Sequence, residues 1–383
     1  MQEAASPPDA GAFSALPVPQ PAAGAEAYRR ERELALAHDP RRRENWERYL
    51  RGRFGGEDLD YLPVKLDIEN VSRCNFRCRM CQVSDWPKGR RAADMDLADF
   101  KRLLDEQYGV VEIKLQGMGE PLLQGDAVFD MIRHARTSHI WVRTTTNASL
   151  LHLRDNYRKL IDADPNEIQI SIDGADKAVF EMIRRGSVFE RVVENCKLIN
   201  AYCEERGVSR TKMWVVVQRD NLHQLPQFVE QAASMGFRDL TFSLSLSDWG
   251  QQEWRVRNDA ILVDGKVALE TCQSLVERGR ALGVAVSFWR VTEKFDTSSP
   301  QTLCPWPFER LYVSSDLRVV PCCILGTPEA YDLGDARDLS ALWTGESYRQ
   351  FRRAHLNGDL PEICRGCYRN EGRNKGRNAS GPA

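Results

Sequence analysis

Leu66-Asp67-Ile68-Glu69-Asn70-Val71 runs through Ser72-Arg73 into Cys74-Asn75-Phe76-Arg77-Cys78-Arg79-Met80-Cys81. The first part reads as a strand, and the second sets three cysteines on one loop at the spacing Cys-x3-Cys-x2-Cys. A [4Fe-4S] cube takes one thiolate for each iron the protein holds, so three thiolates leave the fourth iron open to another ligand. An open iron belongs to a site of chemistry rather than of simple electron storage. The competing readings are zinc or three buried thiols. Structural zinc usually takes four protein ligands as two hooks, which this asymmetric trio does not supply.

Outward from this loop, short apolar runs alternate with amphipathic segments from Leu66 to about Leu244. The spacing predicts strands at Leu66–Val71, Val110–Leu115, Ile140–Thr145, Ile168–Ile172, Met213–Gln218 and Leu240–Leu244. Between them, Leu97, Phe100, Leu103 and Leu104 share one helical face, as do Phe228, Ala232 and Met235. Six strands separated by helices predict a parallel α/β sheet with right-handed crossovers, and a partial (β/α)6 TIM-like barrel fits. Catalytic groups in such a barrel collect at the carboxyl ends of the strands, where the cysteine loop falls.

The cysteine run resembles the signature of the radical S-adenosylmethionine (SAM) superfamily, in which the open iron binds the amino and carboxylate groups of SAM. Asn75 suits that resemblance, while Met80 stands where the family often has an aromatic residue. The resemblance implies the partial barrel, a SAM-binding [4Fe-4S] cluster on Cys74, Cys78 and Cys81, and SAM itself. Gln116-Gly117-Met118-Gly119-Glu120-Pro121 looks like the family element that approaches the SAM amino group. Gly117 and Gly119 let backbone carbonyls come close to an ammonium, and Glu120 adds an acceptor of the right charge. Thr144-Thr145-Thr146-Asn147 and Ser171-Ile172-Asp173-Gly174 close two further strands and resemble segments that meet the SAM carboxylate or ribose. Asn147, Ser171 and Asp173 are the expected contacts; capping the following helices is the other ordinary use of these residue types. Gln218 ends a strand in a position to face the same cavity.

A second constellation lies toward the C-terminus: Cys304, then Cys322-Cys323 after Pro321, then Cys364-Arg365-Gly366-Cys367. Ser314-Ser315-Asp316 between Leu311–Val313 and Leu317–Val320 predicts a β-hairpin that brings Cys304 and Cys322 together. The pattern resembles the twitch extension, the shortened relative of SPASM, and implies one auxiliary [4Fe-4S] cluster on Cys304, Cys322, Cys364 and Cys367. A structural zinc ribbon suits four cysteines as well. The resemblance favours Cys322 over Cys323 as the ligand. Cys196, Cys203 and Cys272 fall in helical text as small buried hydrophobes, and Cys323 is the candidate hydrogen-atom donor if the chemistry needs one.

The 383 residues suffice for one large domain and a small one. Lys+Arg 53 against Asp+Glu 55 leaves a net charge of −2, which predicts neither nucleic acid nor acidic membrane as a partner. Eleven cysteines without a signal-like apolar segment predict a reducing, cytoplasmic setting and metal ligation rather than disulfides. No run approaches the ~20 apolar residues needed to span a bilayer. The expected organisation is a flexible Ala/Pro/Gly-rich tail over 1–27, a charged helical extension over 28–60, the barrel over 61–298, the auxiliary-cluster domain over 299–375 and a tail over 376–383.

The resemblance implies one-electron cleavage of SAM and hydrogen abstraction from an unactivated carbon, with a flavodoxin or ferredoxin as electron donor. The spacing Cys304-x17-Cys322-x41-Cys364-x2-Cys367 is similar to that of radical SAM cyclitol dehydrogenases. The expected substrate is therefore a polar small molecule, a carbohydrate or cyclitol, undergoing dehydrogenation or epimerisation. Asp248, Trp249, Trp254, Arg255 and Arg257 supply aromatic and charged residues that suit a sugar. The alternatives are modification of a ribosomally made peptide and a non-catalytic iron–sulfur or zinc regulatory module.

Overall fold

A computed structural model describes residues 16–263, 267–290 and 294–368. Its strands are β1 (Lys65–Ile68), β2 (Arg77–Cys78), β3 (Glu112–Leu115), β4 (Trp141–Thr146), β5 (Glu167–Ser171), β6 (Arg184–Arg185), β7 (Thr211–Val216), β8 (Asp239–Ser243), β9 (Ala285–Trp289), β10 (Arg310–Val313), β11 (Arg318–Val320) and β12 (Gly334–Asp335). The helices are α1 (Gly24–His38), α2 (Pro40–Gly52), α3 (Leu97–Glu106), α4 (Asp126–Thr137), α5 (Asn156–Asp162), α6 (Lys177–Ile183), α7 (Phe189–Glu205), α8 (Leu225–Ser234), α9 (Gln252–Asp259), α10 (Leu269–Ala281), α11 (Trp306–Glu309), α12 (Leu339–Thr344) and α13 (Glu346–Asn357).

All six expected strands form, in the order β1-β3-β4-β5-β7-β8, parallel throughout. Two more parallel strands extend the sheet beyond the six. β9 pairs with β8, and β10 pairs with the free side of β1, Lys65 opposite Arg310 and Ile68 opposite Val313. β11 and β12 continue antiparallel from β10. The expected hairpin is present, with Tyr312 opposite Val320. The small C-terminal region is thus built on the same ten-stranded sheet as the barrel.

Alternation along the strands divides two environments. Leu66, Ile68, Ile113, Leu115, Val142, Ile168, Ile170, Met213, Val215, Leu240 and Phe242 are buried in the main apolar core with the helices. Phe100, Leu103 and Leu104 of α3 and Phe228 of α8 join them. Burying each such side chain contributes about 1.5–3 kcal/mol. The opposite, inward face is polar. Asp67 meets Arg310 (3.4 Å), Arg143 meets Glu112 (3.5 Å) and Glu167 (3.1 Å), and Lys212 meets Glu167 (3.0 Å), a belt of ion pairs inside the barrel.

That belt explains why residues 16–27 depart from the expected flexible tail. Lys212 Nζ donates to the Gln20 carbonyl, the Ala22 amide donates to Glu167 (3.2 Å), and Phe288 N donates to the Pro17 carbonyl (2.8 Å). Tyr28 donates to Glu112 (2.8 Å) and stands edge-on against Trp141. Charged groups at the floor of the barrel need partners, and this segment supplies them. Residues 1–15 and 369–383, which include the expected C-terminal tail, lie outside the described residues.

Candidate active site

The cysteine loop leaves β1 and is held from several sides. β2 pairs antiparallel with β6, Cys78 opposite Arg184. Cys74 N donates to Gly89 O (3.2 Å) and Cys81 N to Cys78 O (3.1 Å). Trp249 Nε1 (3.2 Å) and Asn258 Nδ2 (3.3 Å) both donate to Met80 O, between the second and third cysteines. All three cysteines open onto one cavity of 310 Å³. Burial pushes the Cys74 thiol up to about 12 and raises Cys78 and Cys81, while the Arg184 guanidinium pulls all three down. Three thiols grouped on a cavity wall, with space rather than a fourth ligand opposite them, fit a [4Fe-4S] cluster with one open iron.

Gly117, Gly119, Glu120, Asn147 and Ser171 line the same cavity. Asp173 does not. Its carboxylate pairs with Arg184 (2.7 Å) and accepts from Val216 N (2.8 Å), because past the end of β5 the chain no longer alternates toward the barrel interior. Arg184, which sequence reasoning passed over, lines the cavity in its place. Gln218 is fully buried and is not among the cavity residues.

Two of the expected contacts are also engaged within the protein. Both oxygens of Glu120 are occupied, one by Thr146 Oγ1 (2.6 Å) and the other by Asn147 N (2.7 Å), and burial pushes its carboxyl up to about 7. Glu120 therefore ties its turn to the end of β4, leaving the carbonyls of the turn as acceptors. Gly119 is required by its neighbours on the protein. A Cβ there would lie 2.4 Å from the carbonyl oxygens of Val71 and Arg73, on the stem of the cysteine loop. Asn147 also reaches the loop, its Nδ2 donating to Asn75 Oδ1 (3.0 Å).

Further cavity residues follow from the two-residue period of the strands: Lys114 and Gln116 on and after β3, Thr145 on β4, Gln169 on β5, Trp214 on β7 and Trp289 on β9. Counting back in twos from Ser171 reaches Gln169, whereas counting back from Gly117 reaches Leu115, which faces the apolar core. The segment expected to contact a sugar is largely committed elsewhere. Trp254 is buried, Arg255 pairs with Asp248 (3.0 Å), Arg257 pairs with Asp85, and only Trp249 of the group lines the cavity.

In the C-terminal region, Cys304 precedes α11, Cys322 follows β11, and Cys364 and Cys367 share a 3-10 turn. Burial is the main cause that raises each thiol. Among the thiols, Cys322 is raised further by its neighbour Cys323 and then by Cys304 and Cys367, and Cys364 by Cys322 and Cys367, which brings Cys304, Cys322, Cys364 and Cys367 within reach of one another. Burial pushes the Cys323 thiol up to about 11, and the charged groups that act on it are Asp67, Lys114 and Arg310 of the barrel. Among the described residues no three His, Cys, Asp or Glu side chains converge tightly enough to chelate one ion.

A buried carboxylate joins the two regions. Glu69 accepts from Met118 N (3.0 Å) beside the glycine turn and from Ser315 N (3.0 Å) in the C-terminal hairpin, and it pairs with Arg91 (3.1 Å). Arg91 in turn pairs with Asp316 (2.8 Å).

Residues 69–232 match the radical SAM superfamily model, and residues 304–368 match SPASM, an iron–sulfur cluster-binding domain. The chain belongs to the radical SAM superfamily. Its cofactors are accordingly SAM, the [4Fe-4S] cluster that binds it, and auxiliary iron–sulfur. As a radical SAM protein it is 23% identical over 312 residues to a PqqA peptide cyclase of Bradyrhizobium diazoefficiens, covering 80% of this chain and 79% of the relative. It is 25% identical over 308 residues to a tungsten-containing aldehyde ferredoxin oxidoreductase cofactor-modifying protein of Pyrococcus furiosus, covering 75% and 82%. Its fold is that of SuiB of Streptococcus suis, solved with the precursor peptide SuiA, at a TM-score of 0.59 and 15% identity over 85% of this chain and 75% of SuiB.

These relatives correct the expected substrate. A carbohydrate or cyclitol, with dehydrogenation or epimerisation of it, is replaced as the leading reading, because relatives that match about four-fifths of the chain are named for peptide cyclisation. The four-cysteine spacing that suggested a cyclitol falls within the SPASM match, which carries no statement about the substrate. Among the described residues no helix is long and apolar enough to cross a membrane.

Proposed function

We propose that this radical SAM enzyme modifies a ribosomally made peptide. The observation that carries the reading is the match to PqqA peptide cyclases along about four-fifths of both chains. In this reading Cys74, Cys78 and Cys81 hold the SAM-binding cluster, and Cys304, Cys322, Cys364 and Cys367 hold one auxiliary [4Fe-4S] cluster. When bound, SAM and its cluster supply a carbon-centred radical able to take hydrogen from an unactivated position. The chain's own contribution is placement and exclusion of water. The carbonyls of Gly117 and Gly119 would accept from the SAM ammonium, and Asn147 and Ser171 would hold its other polar groups. Arg184, already paired with Asp173, carries positive charge at the cluster end. Trp214, Trp249 and Trp289 give the cavity apolar walls.

Joining two positions of a peptide removes two hydrogens, so the reaction class we infer is oxidative, and the reducing cytosol is the compartment that suits both thiolate sites. The test is co-expression with short open reading frames adjacent to the gene, followed by mass spectrometry. A peptide two hydrogens lighter, formed only with the intact cysteine loop, supports the reading. SAM cleavage with every neighbouring peptide left unchanged in mass refutes it.

A further inference from the structure

The interior belt leaves one cation over. Arg310 takes Asp67, Arg143 takes Glu112 and Glu167, and Lys212 takes Glu167. Lys65, at the barrel floor, takes Glu309 (3.2 Å). Lys114 stands in register between Asp67 of β1 and Arg143 of β4, yet among the described residues its ammonium has no hydrogen bond or ion pair. It lines the cavity instead.

The cavity has two ends with different charge. At the cluster end Arg184 lies close enough to Cys74 and Cys78 to affect their ionisation, and its charge is already balanced by Asp173. Lys114 lies at the other end, beside Cys323 of the C-terminal region, and Ile324 of that region lines the same cavity. A partly buried ammonium without a partner costs free energy that an incoming carboxylate recovers. Gln116, Thr145 and Gln169 already bond one another beside it, at 2.6 Å and 3.4 Å, and Trp214 and Trp289 flank the opening at a ring separation of 6.3 Å.

We propose that Lys114 seats a carboxylate of the substrate, namely an aspartate or glutamate side chain of the peptide, at the end of the cavity away from the cysteine loop. This rests on the peptide reading above. Lys114 is a specificity-determining residue on this account, and SAM occupies the cluster end.

The test uses the full chain, anaerobically reconstituted and loaded with SAM, titrated calorimetrically with N-acetylglutamate amide, N-acetylglutamine amide and glutarate. The glutamate amide is expected to bind roughly ten- to a hundredfold more tightly than the glutamine amide. Lys114→Met removes that preference, and Lys114→Arg, which keeps the charge, restores part of it. Equal binding of the two amides to the parent protein overturns the proposal without reliance on any variant. So does a preference that survives in Lys114→Met, or an equal loss of SAM affinity in that variant, which would assign the ammonium to the SAM carboxylate. Glutarate binding as tightly as the glutamate amide, with both lost in Lys114→Met, supports the anion seat while removing the support for a peptide.

Discussion

Gly119→Ala is the most incisive single change, because its consequence follows from two measured approaches. The new Cβ falls 2.4 Å from the carbonyl oxygens of Val71 and Arg73 and 2.9 Å from Arg73 N, all backbone atoms of the stem that carries Cys74. Ordinary contact begins near 3.4 Å, so the stem or the turn must shift by about 1 Å, and no flexible side chain is present to absorb it. Overpacking of this kind costs about 1–3 kcal/mol, and a backbone collision belongs at the upper end. If the turn yields, the Glu120 N to Arg73 O bond (2.9 Å) opens and Glu120 is drawn off Thr146 and Asn147, at about 1 kcal/mol per lost bond. Gly125→Ala is the matched control. Its φ of +70° with a ψ of −139° lies in a region nearly reserved for glycine and strains any other residue by about 1–3 kcal/mol, but a Cβ there meets nothing within 4 Å. Both proteins are reconstituted with iron and compared for melting temperature, iron content and SAM affinity by equilibrium dialysis. Gly119→Ala should lose SAM affinity at least tenfold, whereas Gly125→Ala should lose only stability. SAM affinity equal in the two variants would refute the assignment of this turn to the SAM wall.

Replacing Cys74, Cys78 and Cys81 together with Ala should leave about half of the roughly eight irons expected for two cubanes, and near-complete retention would show that this loop holds none. Cys322→Ala should lose the C-terminal cluster while Cys323→Ala keeps it, read from iron content and electron paramagnetic resonance; the reverse outcome would exchange the roles of Cys322 and Cys323. His355 of α13 is buried, with Nδ1 at 2.9 Å from Phe351 O, and burial lowers its pKa below the usual value. The folded state therefore favours the neutral ring, so its contribution to stability is present above about pH 6.5 and is lost as the pH falls toward the depressed value. The melting temperature should decline less steeply from pH 7 to 5 in His355→Phe than in the parent, and equal slopes would count against the effect.

What the sequence discloses depends on how local the physics is. Cys74, Cys78 and Cys81 are legible because a cluster constrains ligands on one short loop, and the six strands are legible because apolar runs repeat at regular intervals. Gly119 stands out in the sequence, but the stem that makes glycine necessary lies about fifty residues earlier, so only the structure supplies the reason. Asp173 falls outside the cavity because side-chain direction is no longer periodic once β5 ends. Arg184 is missed because a two-residue strand carries no pattern, and β10 because its pairing with β1 joins distant parts of the chain. The composition of residues 16–27 suggests a tail, since nothing in it discloses the charged barrel floor that it covers. The substrate is the least legible feature, as the polar ends of the strands suit sugars and peptides alike.

The parallel pairing of β1 with β10 sets a timetable for synthesis. Register partners Lys65 and Arg310 are 245 residues apart, 310 minus 65. At about 5–20 residues per second, the ribosome needs roughly 10–50 s to deliver the second neighbour of the strand that leads into the cysteine loop. Throughout that interval the nascent chain carries a bare strand edge next to three reactive thiols, a template for wrong pairing. A fragment ending near residue 232, where the match to the radical SAM model stops, would keep that edge permanently. Such a fragment is an aggregation hazard, and a soluble minimal form of this protein must reach at least through Val313.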